Sequence, residues 1–397
     1  LSKKLILTGF PIHDTMCRVM AVMDETGVVE LQVHPCQDDT ILGNIYIGKV
    51  NKVMPEIKGA FVDIKPNVPC YLSLEEEGME GLRAGDELLV QVEQEALKSK
   101  VPKVTANLSL AGKFMVVTLG RKELGISSRL DREVRRSLKK WMEPYKREDC
   151  GVIIRTNAAG ASKEEVLKEL FELYQRMDTV LLKGRTRTCY SLAEQAVPYY
   201  IRELKNQKDG DLEKIITDIP EIHENILGYL TAYQPEKSQM LQFYEDRMLP
   251  LYKLFSLEKE VSDALRQKIW LKSGGFLVIQ QTEAFVAIDV NSGKFSGKKK
   301  ASETYRKINL EAAREIARQL RIRNLYGIIL VDFINMDNPD HQDELLHVLS
   351  ACCRKDPVRT NVVDMTRLQI VEITRKKTRK SLHEQIGTLK GAKEGYV

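Results

Sequence analysis

No stretch of the 397-residue chain approaches the roughly 18 consecutive apolar residues that cross a bilayer, so no membrane span is expected. The opening residues, Leu1 to Phe10, carry two lysines and a brief apolar patch, too short for a signal peptide with its cleavage site. The expected location is cytoplasmic. Cysteine pairs are missing as well. The seven cysteines are odd in number, scattered, and never spaced C-x-x-C, which argues for reduced thiols and against a zinc site. There is no G-x-x-x-x-G-K-[ST] loop, no nucleophile elbow and no H-E-x-x-H, so nucleotide hydrolysis, serine chemistry and zinc proteolysis lack support. Excess charge is also small, at +5. A partner of opposite sign therefore has to be argued from local clusters: Lys294 to Lys300, Arg314 to Arg323, and Arg375 to Lys380. Such runs commonly form solvated faces, but they can also make a phosphate-binding stripe.

What is present suits a folded protein of several domains, with 43% hydrophobic and 29% charged residues. Leu42 to Leu74 alternates apolar and polar residues between glycines and prolines, which predicts three short antiparallel strands. Glu87 to Gln94 and Leu108 to Leu119 add two more, the five strands of an OB-type barrel. Phe61 and Tyr71 fall on neighbouring strands of it, as barrel core or as platforms for unstacked bases. A charged helix at Asp131 to Met142, a strand at Cys150 to Thr156 and a helix at Lys163 to Leu182 predict a small α/β subdomain. Ala193 to Leu265 reads as mostly helical.

The last third carries the chemistry. FLVIQQ (Phe276 to Gln281) and FVAIDV (Phe285 to Val290) predict a hairpin. A long amphipathic helix from Ser302 to about Arg323 then leads into GIILVDF (Gly327 to Phe333), followed by a helix from about His341 to Arg354 and a strand at Thr360 to Met365. Asp289 and Asp332 each end an apolar strand. If those strands are neighbours, both carboxylates emerge at one sheet edge, where ligands of α/β proteins gather. A single Asp after a strand is commonly a turn former. Two side by side repel, and Mg²⁺, which takes one or two carboxylates and keeps its waters, would hold both ionised. Asn291 would point to the same side, and Gly293 to Lys300 would form a basic lip for a nucleic-acid backbone. His341, Glu344 and His347 are too loosely placed for a rival metal set.

AIDVNSG (Ala287 to Gly293), INLEAAREIARQLRIRNLYGIILVDFINM (Ile308 to Met336) and GNIYIGKV with GAFVDI resemble the catalytic domain of the ribonuclease E/G family, in one order over nearly the whole chain. The resemblance implies an α+β and α/β multidomain fold. It would comprise a split RNase H-like subdomain (1–37 and 201–265), an S1-type OB barrel (38–110), a 5′-sensor (111–200), a DNase I-like catalytic subdomain (266–387) and a tail (388–397). It implies a magnesium-dependent endoribonuclease, with manganese as a substitute ion, that cleaves single-stranded RNA, is stimulated by a 5′-monophosphate and leaves 5′-phosphate and 3′-hydroxyl ends. Asp289 and Asp332 would bind the metal and Asn291 would assist. Arg155, Thr156, Gly112 and Val116 would receive the 5′-phosphate. Phe61, Tyr71, Lys100, Lys298, Lys299 and Arg359 would contact RNA.

The family's C-P-x-C zinc link has no counterpart after the Arg375 run, so zinc and the dimer it staples are not expected. A homo-oligomer held by other contacts stays open. Asn335 in FINM stands where the family has a carboxylate. The alternatives are therefore a catalytically weak or inactive RNA-binding, ribosome-associated homologue, and a metal-dependent nuclease acting on DNA.

Overall fold

The structure is a computed structural model that describes residues 2–36, 40–96, 101–120, 122–207, 210–293 and 301–387. Lys100, Lys298 and Lys299, with the rest of the expected basic lip from Lys294 to Lys300, lie outside the described residues. The architecture is mixed α and β, as expected.

Three antiparallel strands open the chain: β1 (Lys3–Ile12), β2 (Thr15–Asp24) and β3 (Gly27–Pro35). Sequence pattern alone assigns nothing here. Buried runs such as Leu5 to Leu7 and Val19 to Val22 cover both faces, so the strands lack the alternation that marks a half-buried sheet.

Next come β4 (Ile45–Met54), β5 (Gly59–Lys65), β6 (Val68–Ser73), β7 (Glu87–Gln94) and β8 (Lys103–Thr105). They hydrogen-bond in the order β4-β5-β6-β8-β7, and β7 returns to β4. The result is a closed five-stranded barrel with a parallel β6–β8 pair, consistent with an OB-type fold. Closure leaves no unpaired barrel edge, and Val50, Val62, Ile64, Cys70, Leu72, Val90 and Val104 fill the inside.

The fifth strand corrects the sequence reading. Leu108 to Leu119 is not one barrel strand but β9 (Ser109–Ala111) and β10 (Met115–Leu119), folded back on each other in a different sheet. The chain turns at Gly112 to Phe114, and the true closing strand, β8, is too short to show a period.

That different sheet is completed by β11 (Leu124–Ile126) and, after α1 (Arg132–Met142), by β12 (Cys150–Ile154), in the order β11-β12-β10-β9. Helix α2 (Lys163–Thr186) starts at a capping box between Ser162 and Glu165. It buries Val166, Leu170, Leu173, Met177 and Val180 in the core beside this sheet. The short β13 (Leu192–Glu194) pairs with β4, and α3 (Tyr199–Asn206) follows.

The expectation of a mostly helical stretch from Ala193 to Leu265 is corrected in the same way. It contains β13, β14 (Leu212–Thr217) and β15 (Leu241–Phe243) besides α4 (Pro220–Tyr233), α5 (Leu251–Leu254) and α6 (Leu257–Leu265). β14 exists as a strand because it pairs in parallel with β1, far upstream. Local periodicity carries no trace of such a partner. The sheet reads β15-β14-β1-β2-β3.

The final sheet uses β16 (Lys268–Trp270), β17 (Phe276–Gln281), β18 (Val286–Asn291), β19 (Gly327–Asp332), β20 (Thr360–Met365) and β21 (Ile370–Arg375), in the order β16-β17-β18-β19-β21-β20. Helices α7 (Ala301–Ile322) and α8 (Pro339–Cys353) share one core with it. On α7, Ile308, Ala312, Ile316 and Leu320 recur every four residues and are buried. Each such Ile or Leu contributes about 1.5–3 kcal/mol.

The chain divides into two compact units, one of Leu1–Asp38 with Gly210–Val397 and one of Asp39–Asp209. Among the described residues, no helix is long and apolar enough to cross a membrane.

Candidate active site

Strands β18 and β19 are parallel neighbours, and their register sets Asp289 opposite Asp332. Along both strands the alternate residues Ile288, Val290, Ile329 and Val331 are buried in the helix-covered core, which leaves the two carboxylates exposed on the other face. Register partners on neighbouring strands lie roughly 5 Å apart. At that separation two carboxylates repel unless a cation sits between them. Asn291, also on this face, donates from Nδ2 to Asp289 Oδ2 at 2.7 Å, which fixes one carboxylate oxygen. Two exposed carboxylates with an amide beside them fit a hard cation that keeps most of its waters. Among the described residues no group of three or more His, Cys, Asp or Glu could enclose a metal. The Glu344 carboxylate is taken by Arg306, at 2.5 and 2.7 Å.

Two supports of this site were not legible beforehand. Asn309, fully buried on α7, donates to Ile334 O at 2.7 Å and accepts from Ile334 N–H at 3.1 Å. It thereby pins the segment that follows Asp332. The signal was a lone Asn on the apolar stripe of α7. The second support is a glycine contact. A Cβ on Gly293, whose φ is +68°, would lie 2.4 Å from Gly274 O, so the chain after Asn291 passes a neighbouring turn at a distance only glycine permits. Asn335 is exposed in the loop beyond β19.

Arg155 leaves β12 and turns its guanidinium back onto the β9–β10 turn. Nη1 donates to Gly112 O at 2.8 Å and Nη2 donates to the Asn206 side chain. Thr156 follows in a short 3-10 turn. The Glu169 carboxylate from α2 accepts from the backbone N–H groups of Lys113, Phe114 and Met115 at 2.7, 2.8 and 3.1 Å. A Cβ on Gly112 would lie 2.2 Å from the Glu169 carboxylate, so a larger residue there would push aside the acceptor of these three N–H bonds. The Gly112 amide itself is donated to Met115 O, and Val116 lies in register with Ala111 and Ile153.

Lys205, which the sequence did not single out, reaches the same turn and donates to Ala111 O at 3.3 Å. Burial and the nearby Arg176 lower its pKa to about 8, with Arg155 adding to the shift and Glu169 and Glu172 opposing it. Burial also pulls Arg155 below the ordinary arginine range, against the pull of Glu169.

On the barrel, Phe61 and Tyr71 are register partners with ring centroids 6.5 Å apart in an edge-on contact. Both are half-exposed on the outer face, while their neighbours Val62, Cys70 and Leu72 point inward. The reading of these aromatics as barrel core is thus corrected. The Tyr71 ring lies over Gly59, and its hydroxyl donates to Ile57 O at 3.2 Å. Register extends the row to Lys52 beyond Phe61 and to Lys103 beyond Tyr71.

The other cationic candidates disperse. Arg359 is exposed, but its neighbour Thr360 pairs with Arg375, which pairs with Gly327, at the opposite end of β19 from Asp332. Arg375, from the basic run considered as a phosphate stripe, is buried instead. It pairs with Asp356 at 2.7 Å and donates to Asn324 Oδ1 and Leu325 O. Lys377 lies over the Tyr326 ring, 4.3 Å from its centroid.

The family model described as "Ribonuclease E/G family" matches residues 109–378. Ribonuclease G of Escherichia coli (strain K12) is 37% identical over 364 residues, covering 86% of this chain and 74% of that protein. Ribonuclease G of Haemophilus influenzae is 34% identical over 90% of this chain and 77% of its own length. Ribonuclease E of Synechocystis sp. is 30% identical over 93% of this chain and 57% of its own length. With the matched region running through Arg155, Asp289 and Asp332, the chain belongs to the ribonuclease E/G family.

Proposed function

We propose that this chain is a magnesium-dependent endoribonuclease that hydrolyses single-stranded RNA in the processing and decay of rRNA and mRNA, in the cytoplasm. The observation that carries the reading is the Asp289–Asp332 register pair on the open face of its sheet, in a chain of this family. Asp289 and Asp332 would hold the ion, with manganese able to replace magnesium. When bound, magnesium would supply a water of lowered pKa and neutralise charge at the leaving oxygen. Asn291 steadies Asp289 and stands where it can orient the scissile phosphate. In-line attack with departure of the 3′ oxygen leaves a 5′-phosphate and a 3′-hydroxyl.

Phe61 and Tyr71 offer π faces to unstacked bases, Lys52 flanks them along the same row with charge for the backbone, and Lys103 at the other end of the row is ion-paired with Glu93 at 2.7 Å. Arg155 and Lys205 bring two cations to the Ala111–Gly112 turn, a setting that suits a terminal phosphate and stimulation by it. The subdomain labels are proposed with the function: RNase H-like for the sheet that joins β1–β3 to β14 and β15, S1-type for the barrel, 5′-sensor for the sheet beside α2, and DNase I-like for the last sheet. The boundaries expected from sequence are proposed with them, except that β9 (Ser109–Ala111) goes whole with the sensor sheet.

Matched single-stranded RNA and DNA, each with Mg²⁺ or EDTA, test the reading. RNA cleaved only with the metal is the expected result. Equal cleavage of DNA, or no cleavage of either, refutes it.

A further inference from the structure

On the face of the last sheet that carries Asp289, Asn291 and Asp332, register fixes which other side chains emerge. Phe276 lies opposite Asn291, Trp270 opposite Phe276, and Lys268 opposite Val278, which is itself opposite Asp289. Phe276 is therefore a diagonal neighbour of Asp289, roughly 7–8 Å away. Trp270 is 64% exposed, on the edge strand β16. The two rings stand 5.3 Å apart at 59° to each other, so neither covers the other's face. Lys268 Nζ lies 4.2 Å from the Trp270 centroid and 3.7 Å from the Phe276 centroid. Two π systems thus hold a cation beside the open tryptophan.

We propose that Trp270, Phe276 and Lys268 form a nucleotide subsite, in which one unstacked base of single-stranded RNA lies on the Trp270 face while Lys268 meets the adjoining phosphate. The subsite rests on the reading of the Asp289–Asp332 pair as the place of RNA cleavage. It binds the nucleotide next to the scissile bond, on the same sheet, separately from the aromatics of the barrel. Stacking accepts any base because every base has a π face, so the subsite fixes position without reading sequence.

The chain has two tryptophans, Trp141 and Trp270, and Trp141→Phe leaves Trp270 as the sole reporter. The full chain with that change is titrated in EDTA with 5′-phosphorylated decauridylate, and with the same oligonucleotide carrying one abasic position moved stepwise along it. Binding is followed independently by anisotropy of labelled RNA. The expected result is saturable quenching of Trp270 emission that disappears for one abasic position. Trp270→Ala should weaken binding about 5- to 150-fold, with most of the loss restored by Trp270→Phe, and should be indistinguishable from its parent on that one abasic oligonucleotide. Unchanged emission at saturation, or a Trp270→Ala loss equal on every oligonucleotide, overturns the proposal. So does emission that follows protein concentration and ignores RNA, which would assign the patch to a second copy of the chain. Because binding is read without metal, absence of cleavage in magnesium with the quench intact counts against the nuclease reading alone.

Discussion

Replacing Asn309 by Leu tests how the active-site strand is held. The side chain is fully buried and makes two hydrogen bonds, at 2.7 and 3.1 Å, to the C=O and N–H of Ile334. Leucine fills a similar volume but pairs with neither group. A buried backbone group left without a partner costs about 1–3 kcal/mol, so the two together should cost about 2–4 kcal/mol once the segment has relaxed toward solvent. The loss falls two residues after Asp332, on the loop leaving β19. Amide hydrogen exchange reads it directly. The Ile334 N–H should exchange roughly 1.5 to 3 orders of magnitude faster, while amides in β17, on the far side of β18, change little. Because Asp332 is the end of the loosened strand, half-saturating magnesium for cleavage should also rise, by about tenfold for each 1.4 kcal/mol transmitted. Unchanged protection at Ile334, with the folded state intact, would refute the clamp.

Three further outcomes follow from the geometry. Lys205, with its pKa near 8, is charged below that pH and loses its charge as pH rises through it, in a setting shared with Arg155, Glu169, Glu172 and Arg176; the preference for 5′-monophosphorylated over 5′-hydroxyl RNA should decline between pH 7 and 9. Lys205→Met should flatten that profile and Arg155→Gln should abolish the preference with basal cleavage kept; an undiminished preference in Arg155→Gln removes the sensor role. Arg375→Met should lower stability by about 3–5 kcal/mol in urea unfolding, because the buried Asp356 carboxylate loses its guanidinium partner; adding Asp356→Leu should restore part of it, and a neutral single variant contradicts the structural role given to this cation. Tyr71→Ala should weaken RNA binding by about 1–3 kcal/mol, and binding equal to wild type removes the barrel row from the RNA path.

The sequence exposed the active-site pair because both aspartates end apolar runs flanking one long helix, a pattern that parallel strand-helix-strand units impose locally. It could not set the register that makes them partners, nor show that Phe276 and Trp270 share their face. Those relations come from pairing between strands, as do β14 beside β1 and Lys52 beside Phe61. The basic runs misled for a related reason. Charge density is visible in sequence, but the buried Asp356 that claims Arg375 lies on a connecting segment with no period of its own. Lys205 was hidden because a lysine at a helix end has no local mark of the turn it will reach.

Single-turnover cleavage of a 5′-phosphorylated single-stranded RNA across a magnesium titration, with RNA binding measured in parallel, tests the central claim most directly in Asp289→Asn and Asp332→Asn. Loss of cleavage at every magnesium concentration with RNA affinity retained is the predicted result. Wild-type turnover by either variant would contradict the assignment of the pair as the metal-holding centre.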